Sequence, residues 1–260
     1  MANKFLRTAV LAGASLLVLG TGVAVGANST ADDAYAASAP VATKQTTPAT
    51  STAPATSATP TPAPRSAPDP VGALFANGSH FCSASVVHSD AGDLVLTAAH
   101  CVKDGMTFAP GYHDGVAPLG TWTVTGVAVA DGWTSSADPD LDFAFLTVSQ
   151  PGNAASLESL TGANTLGIAQ GFDHEITLTG YPDTTDSPVV CSGRTTRSDT
   201  YQQRVACPGF PDGTSGGPWV TNGVVIGVIG GYQLGGDTPD VSYSPYFDDD
   251  IQKLYASATG

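Results

Sequence analysis

From Val71 to about Pro245 the chain is a succession of short apolar or alternating runs, among them "SASVV", "LVLTAA", "WTVTGVAV", "DFAFLTV", "HEITLTGY", "RVAC" and "VVIGVIGG". Turn signals separate them: "SDAG", "KDG", "APGYHDG", "DGW", "SQPGN", "PDTTDSP", "FPDG" and "TNG". Short runs cut by Gly, Pro, Asn and Asp at this spacing fit strands, so the expected class is all-β, an antiparallel barrel or sandwich. Only the tail, "YFDDDIQKLYASA", has helical character, with Asp residues at its start where the helix dipole favours them.

The first 70 residues are of another kind. Lys4 and Arg7 precede the uncharged run "TAVLAGASLLVLGTGVAVGA", and small residues follow in "AVGA" and "AYA". No charged stop-transfer flank follows that run, so residues 1–36 read as a secretory signal peptide cut between about 26 and 36. Residues 37–70, including "TKQTTPATSTAPATSATPTPAPRSAPDP", hold almost nothing that can be buried. They cannot offset their own ordering entropy and read as a disordered spacer or propeptide. The folded part is therefore 71–260, enough for one domain or two small packed halves.

Five cations, Lys103, Arg194, Arg197, Arg204 and Lys253, lie in that part of a chain whose net charge is −14. Such acidity repels nucleic acid and anionic membrane surfaces, and neither is an expected partner. All four cysteines, Cys82, Cys101, Cys191 and Cys207, also lie there, and a chain sent to an oxidising compartment pairs them. "GSHFCSASVVHSDAGDLVLTAAHC" reads as a hairpin that a Cys82–Cys101 bond would pin. Cys191 and Cys207 bracket a second two-stranded stretch. His80, Cys82, His100 and Cys101 are close in sequence, but no C-x-x-C pair and no H-x-x-x-H spacing is present, so no metal and no cofactor is expected.

The chemistry is carried by "LVLTAAHCV" (94–102) and "PDGTSGGPW" (211–219). The second sets Ser215 among glycines, where backbone N–H groups can converge on a substrate. A hydroxyl is a weak nucleophile and needs a positioned base. Gly213 to Gly217 fits G-x-S-x-G, the elbow of α/β-hydrolases, in which the histidine follows the serine. Here all five histidines, His80, His88, His100, His113 and His174, precede Ser215, which excludes that fold.

"LTAAHC" and "GTSGGP", about 115 residues apart, resemble the chymotrypsin-like (trypsin-fold) serine peptidase family, and the short loops and the opening "VGALF" resemble its secreted bacterial branch. The resemblance spans about Val71 to Tyr255. It implies two packed six-stranded antiparallel β-barrels, at about 71–150 and 165–245, a C-terminal helix at about 247–258, and a site in the crevice between the barrels. It implies His100 as general base, Ser215 as nucleophile and Asp142, before the apolar run of "DFAFL", as the acid, with Asp140 as fallback and Asp138 nearby. The backbone N–H groups of Gly213 and Ser215 would form the oxyanion hole. The implied function is a secreted serine endopeptidase acting through an acyl-enzyme. A polypeptide substrate and, as a second partner class, a proteinaceous inhibitor follow, with a monomer expected. The alternative is a catalytically silent binding protein of the same fold.

The sequence departs from the family in places. Thr214 stands where animal members carry an aspartate that pairs with a freed N-terminus, and no "IVGG"-like start is present. The serine that often supports the catalytic acid falls near Gly230. Gly209 occupies the position of the aspartate that selects basic residues, and the histidine of glutamate-specific members is missing near Ile229. Phe210, Asp212, Gly230 and Tyr232 are the candidates for the substrate pocket. Asp248, Asp249 and Asp250 read as a helix start, Trp122, Trp133 and Trp219 as packing residues, and "NGS" at Asn77 as an unmodified match to the glycosylation pattern.

Overall fold

A computed structural model describes residues 69–260. The expected signal peptide, and the expected spacer apart from Asp69 and Pro70, lie outside the described residues.

Strands β1 (Val71–Ala76), β2 (Ser79–Val86), β3 (Leu94–Thr97), β4 (Thr107–Pro110), β5 (Trp122–Val129) and β6 (Ala144–Ser149) close into a barrel in the order β1-β2-β3-β6-β5-β4. Its interior is filled by Leu74, Phe108, Trp122 and Leu146, all essentially buried. Antiparallel closure leaves no free edge. A short helix α1 (Asp131–Ser136) interrupts the run from β5 to β6, and α2 (Leu157–Thr161) follows the barrel. Neither was visible in the sequence, where only the tail looked helical. Five or six residues cannot establish a 3.6 period. Local devices hold them instead: Ser156 Oγ accepts from Ser159 N at the start of α2, and Ala137 ends α1 with φ 51°.

The second half contains β7 (Thr165–Leu166), β8 (Glu175–Gly180), β9 (Val189–Arg194), β10 (Thr196–Arg197), β11 (Gln202–Ala206), β12 (Pro218–Thr221), β13 (Val224–Val228) and β14 (Val241–Pro245). These form a five-stranded sheet, β7-β13-β12-β8-β9, and a three-stranded sheet, β10-β11-β14. The closed second barrel expected from the resemblance is thus two sheets, and its seams are made by side chains. Ser244 Oγ accepts from Val228 N at 3.0 Å and Gln203 Nε2 donates to Ile226 O at 2.8 Å. Gly227 lies between them, and a Cβ there would collide with both side chains. On the other side the Cys191–Cys207 disulfide joins β9 to the residue after β11.

The halves and the C-terminal helix α3 (Asp249–Thr259) share one apolar layer. Leu96, Phe143 and Phe145 from the first half meet Val225 and Val228 from the second and Phe247 and Ile251 at the helix. Asp248 starts α3, its Oδ1 accepting from Asp250 N at 2.9 Å. Trp219 and Trp122 are buried in their two cores, while Trp133 on α1 is half-exposed.

Cys82 on β2 is bonded to Cys101, 19 residues on, at the end of the turn that carries His100. Closing a loop of that length restricts the unfolded chain by about 3 kcal/mol. Replacing both cysteines by alanine should lower the unfolding free energy by about that amount, read as a fall in the urea midpoint with a somewhat steeper slope, because the unfolded chain is no longer held compact. An unchanged midpoint would show that the bond adds nothing to this fold.

Candidate active site

Strand β3 ends at Thr97, and Ala98 leads into a single 3-10 turn, Ala99–Cys101, that exposes His100 at the barrel rim. Ala98 and Ala99 are buried, and Ala98 packs in the barrel core behind the histidine. On the adjoining strand, Asp142 ends a second 3-10 turn, Pro139–Leu141, just before β6. Its side chain is fully buried.

Three N–H groups converge on that carboxylate. His100 Nδ1 lies 2.7 Å from Oδ2, His100 N donates to Oδ1 at 2.9 Å, and Gly231 N donates to Oδ2 at 2.8 Å. A carboxylate whose oxygens accept in this way fixes the proton of the imidazole on Nδ1, leaving Nε2 as the acceptor. The ring is therefore held by both ends of one buried acid. The third bond resolves the departure at Gly230. A Cβ there would approach Asp142 O and Oδ2 to 3.0 Å, a tight contact that a serine would meet only with a small shift of its neighbours, and the backbone of Gly231 supplies a donor to the acid.

Asp140 and Asp138 are engaged elsewhere. Asp140 Oδ1 accepts from Gln202 Nε2 at 2.7 Å, and Asp138 Oδ1 accepts from Asp140 N at 3.0 Å. Neither carboxylate is hydrogen-bonded to His100 among the described residues.

Ser215 faces the same cleft as His100. Its carbonyl accepts from Ser83 N on β2 at 2.7 Å, which ties the serine loop to the first barrel. Around it the backbone donors divide into two sets. Thr214 N, Gly216 N and Gly217 N donate to Pro211 O, Ile229 O and Thr214 O, whereas Gly213 N and Ser215 N have no partner among the described residues. Two unpaired N–H groups flanking one hydroxyl form a ready anion site. Gly213 has φ 90°, and a Cβ there would run into Asp183 N and Tyr181 O. Thr214 is buried with its hydroxyl donating to Pro211 O at 2.6 Å, so this loop is closed without any ion pair at that position.

The cleft has a volume of about 640 Å³ and lies where the halves meet. Phe81, the Cys82 disulfide, His100 and Lys103 form one wall, with Lys103 Nζ 3.7 Å from the Phe81 ring centre. The other wall runs from Phe210 to Ser215 and from Gln233 to Pro239. Of the residues singled out for the pocket, Phe210 and Asp212 line it. Tyr232 borders a neighbouring cleft, and Gly230 packs on Asp142. Leu234 and Asp237 were not foreseen. Gln233 and Leu234 both have φ 53°, a turn of non-glycine residues that the sequence does not advertise, and Gln233 Nε2 donates to Asp237 Oδ2. The ligand atoms of Cys82, His100 and Cys101 come within 4.8 Å of one another, but both sulfurs are consumed in the disulfide.

Two β-rich halves sharing one layer, with an open cleft at their junction that holds His100 and Ser215, define the chymotrypsin-fold class. The model of the Trypsin family matches residues 59–246, and the chain belongs to that family, a serine-type endopeptidase. Solved structures agree. The protease Anisep from Arthrobacter nicotinovorans is 27% identical, with 75% of this chain and 97% of that one covered and a TM-score of 0.65. The thermostable serine protease AL20 from an extremophilic microorganism is 26% identical over 73% and 96%, also at 0.65. A Glu endopeptidase, 20% identical over 74% and 90% with a TM-score of 0.62, shares the fold. No curated protein matches the chain by sequence.

Proposed function

We propose that the chain is a secreted endopeptidase whose residues 71–260 cleave peptide bonds through an acyl-enzyme on Ser215, with His100 as base and Asp142 as its buried partner. The observation that carries the reading is the Asp142 carboxylate, held by three N–H donors and bonded to a histidine that shares its cleft with Ser215. His100 Nε2 takes the hydroxyl proton as Ser215 Oγ attacks the carbonyl, and the imidazolium is stabilised by Asp142. Gly213 N and Ser215 N receive the oxyanion. The proton then passes to the leaving amine, and water, activated in the same way, releases the acyl group. Residues 1–36 would direct export and 37–70 would precede the folded part. Two disulfides suit that destination, and no helix of the described residues is long and apolar enough to cross a membrane.

The wall of Phe210, Ile229 and Leu234, edged by Asp212 and Asp237, supports a substrate side chain with an apolar stem. The test is labelling of purified protein by a fluorophosphonate, with a mixed peptide library read by mass spectrometry. Covalent label on Ser215 and a consistent cleavage pattern are expected. A folded protein that takes no label would sink the reading.

The donor set gives a further expectation. Gly213→Ala should lower kcat/KM by about 10²- to 10³-fold, the loss associated with one oxyanion donor, because the added methyl displaces the 213 backbone. A loss under about threefold would remove Gly213 N from the mechanism.

A further inference from the structure

We infer that a second cleft, next to the first, binds a carboxylate side chain of the substrate on the acyl side of the scissile bond, through Arg204. The inference rests on the peptidase reading above.

The two clefts share a wall. Gln233 lines the one that holds His100 and Ser215, and its neighbour Tyr232 lines the other, which has a volume of about 720 Å³. Around it lie Arg197, Arg204, Tyr243, Gln202 and the loop Ser198–Asp199. Strand register builds this surface. Thr196 pairs with Arg204 across β10 and β11, and Arg204 pairs with Tyr243 across β11 and β14, so the three stand in one row on one face of the small sheet. Their neighbours Val205 and Ser242 point the other way and are buried. Tyr232 continues the row, its ring 5.0 Å from that of Tyr243 and edge-on to it.

Charge singles out this place. Of the five cations, Arg194 is paired with Asp173 and Glu175, Lys253 with Asp250, and Lys103 lies over Phe81. Arg197 and Arg204 form no ion pair among the described residues. Arg197 donates Nε to Asp199 O at 2.9 Å and lies over the Phe172 ring, 5.2 Å from its centre, whereas the Arg204 guanidinium makes no hydrogen bond there. The Asp199 carboxylate, which also borders the cleft, accepts from Thr200 N at 2.6 Å. In a chain of net charge −14 an acidic peptide meets general repulsion. The Arg204 guanidinium, in one row with Tyr243 and Tyr232, is therefore a local exception, with a planar fork that suits a carboxylate.

The direction follows from the catalytic geometry. The leaving amine takes its proton from His100 and departs along the wall of Phe81, Cys82 and Lys103. The acyl part stays on Ser215, against the wall of residues 229–239, which leads to Tyr232. The wall itself is fixed to the catalytic acid: Gly231 N donates to Asp142, and Tyr232 N donates to Gln202 Oε1 at 3.1 Å.

The test uses internally quenched peptides built around the bond preferred in the library, identical except for Glu or Gln at the second, third or fourth residue before that bond. Wild-type protein should cleave one Glu peptide about tenfold faster in kcat/KM than its Gln twin at low salt. The ratio should fall toward one as screening rises. Arg204→Gln should abolish the ratio while leaving the Gln peptide and the fluorophosphonate rate unchanged, and Arg204→Glu should invert it. Equal cleavage of the pair at all three positions, or a preference that survives Arg204→Gln, overturns the inference while the peptidase reading stands. Failure to cleave either peptide overturns both.

Discussion

Ser215→Ala should reduce kcat by about 10⁶-fold, or about 8 kcal/mol of transition-state stabilisation, and leave the fold unchanged. The structural side is simple. Ser215 is half-buried, and the link of its loop to the first barrel runs through its backbone carbonyl, accepting from Ser83 N. The hydroxyl itself has no protein partner among the described residues, so its loss should shift stability by less than about 0.5 kcal/mol. On the chemical side, the attacking atom is gone, and only the unpaired backbone N–H groups at positions 213 and 215 remain to polarise a bound carbonyl. His100→Ala should cost nearly as much. The double variant should then lose almost nothing more, because base and nucleophile act as one unit and their contributions do not add. Steady-state kinetics and thermal unfolding of the three variants check this together. A Ser215→Ala protein within about 100-fold of the wild type would remove Ser215 from the chemistry, and strictly additive losses would separate His100 from it.

Much of this arrangement is legible in the chain because it rests on short motifs and strand patterns. β5 alternates between core and surface as "WTVTGVAV" suggests, and histidines confined to positions before Ser215 exclude the α/β-hydrolase order. What escapes the sequence is built from groups that leave no period behind. The seam of the second half is made by Ser244 and Gln203 bonding to backbone, and a serine or a glutamine in a strand could face anywhere. The third donor to Asp142 is the N–H of Gly231, which almost any residue could present. Helix α1 spans a stretch containing "DGW", a turn signal by composition, and is capped by an alanine in the left-handed region. The row of Thr196, Arg204 and Tyr243 depends on register between strands about 40 residues apart, and register is set by packing, not by local pattern.

Asp142→Asn should lower kcat by about 10⁴-fold, while Asp140→Asn keeps it within a few-fold, and the contrast follows from the hydrogen bonds each carboxylate accepts. Asp142 has no exposure and no freedom to turn away. An amide in its place has one accepting oxygen for three donors. With the oxygen at the Oδ1 position it keeps His100 N, but its NH₂ then faces both His100 Nδ1 and Gly231 N. His100 can answer only by moving its proton to Nε2, the tautomer that cannot take one from Ser215. Flipped, the amide keeps Nδ1–H and Gly231 N but opposes its NH₂ to His100 N. Either way one N–H is left facing another, which should destabilise the protein by about 1–3 kcal/mol. The neutral amide also gives the forming imidazolium no counter-charge, so the loss in rate exceeds what misplacement alone would cause. Asp140 differs because its Oδ1 accepts from Gln202 Nε2, a bond an asparagine oxygen can keep. Kinetics and urea unfolding of the two variants decide between the acids. An Asp142→Asn protein within tenfold of wild type, or an Asp140→Asn protein that loses 10⁴, would assign the role to the other residue.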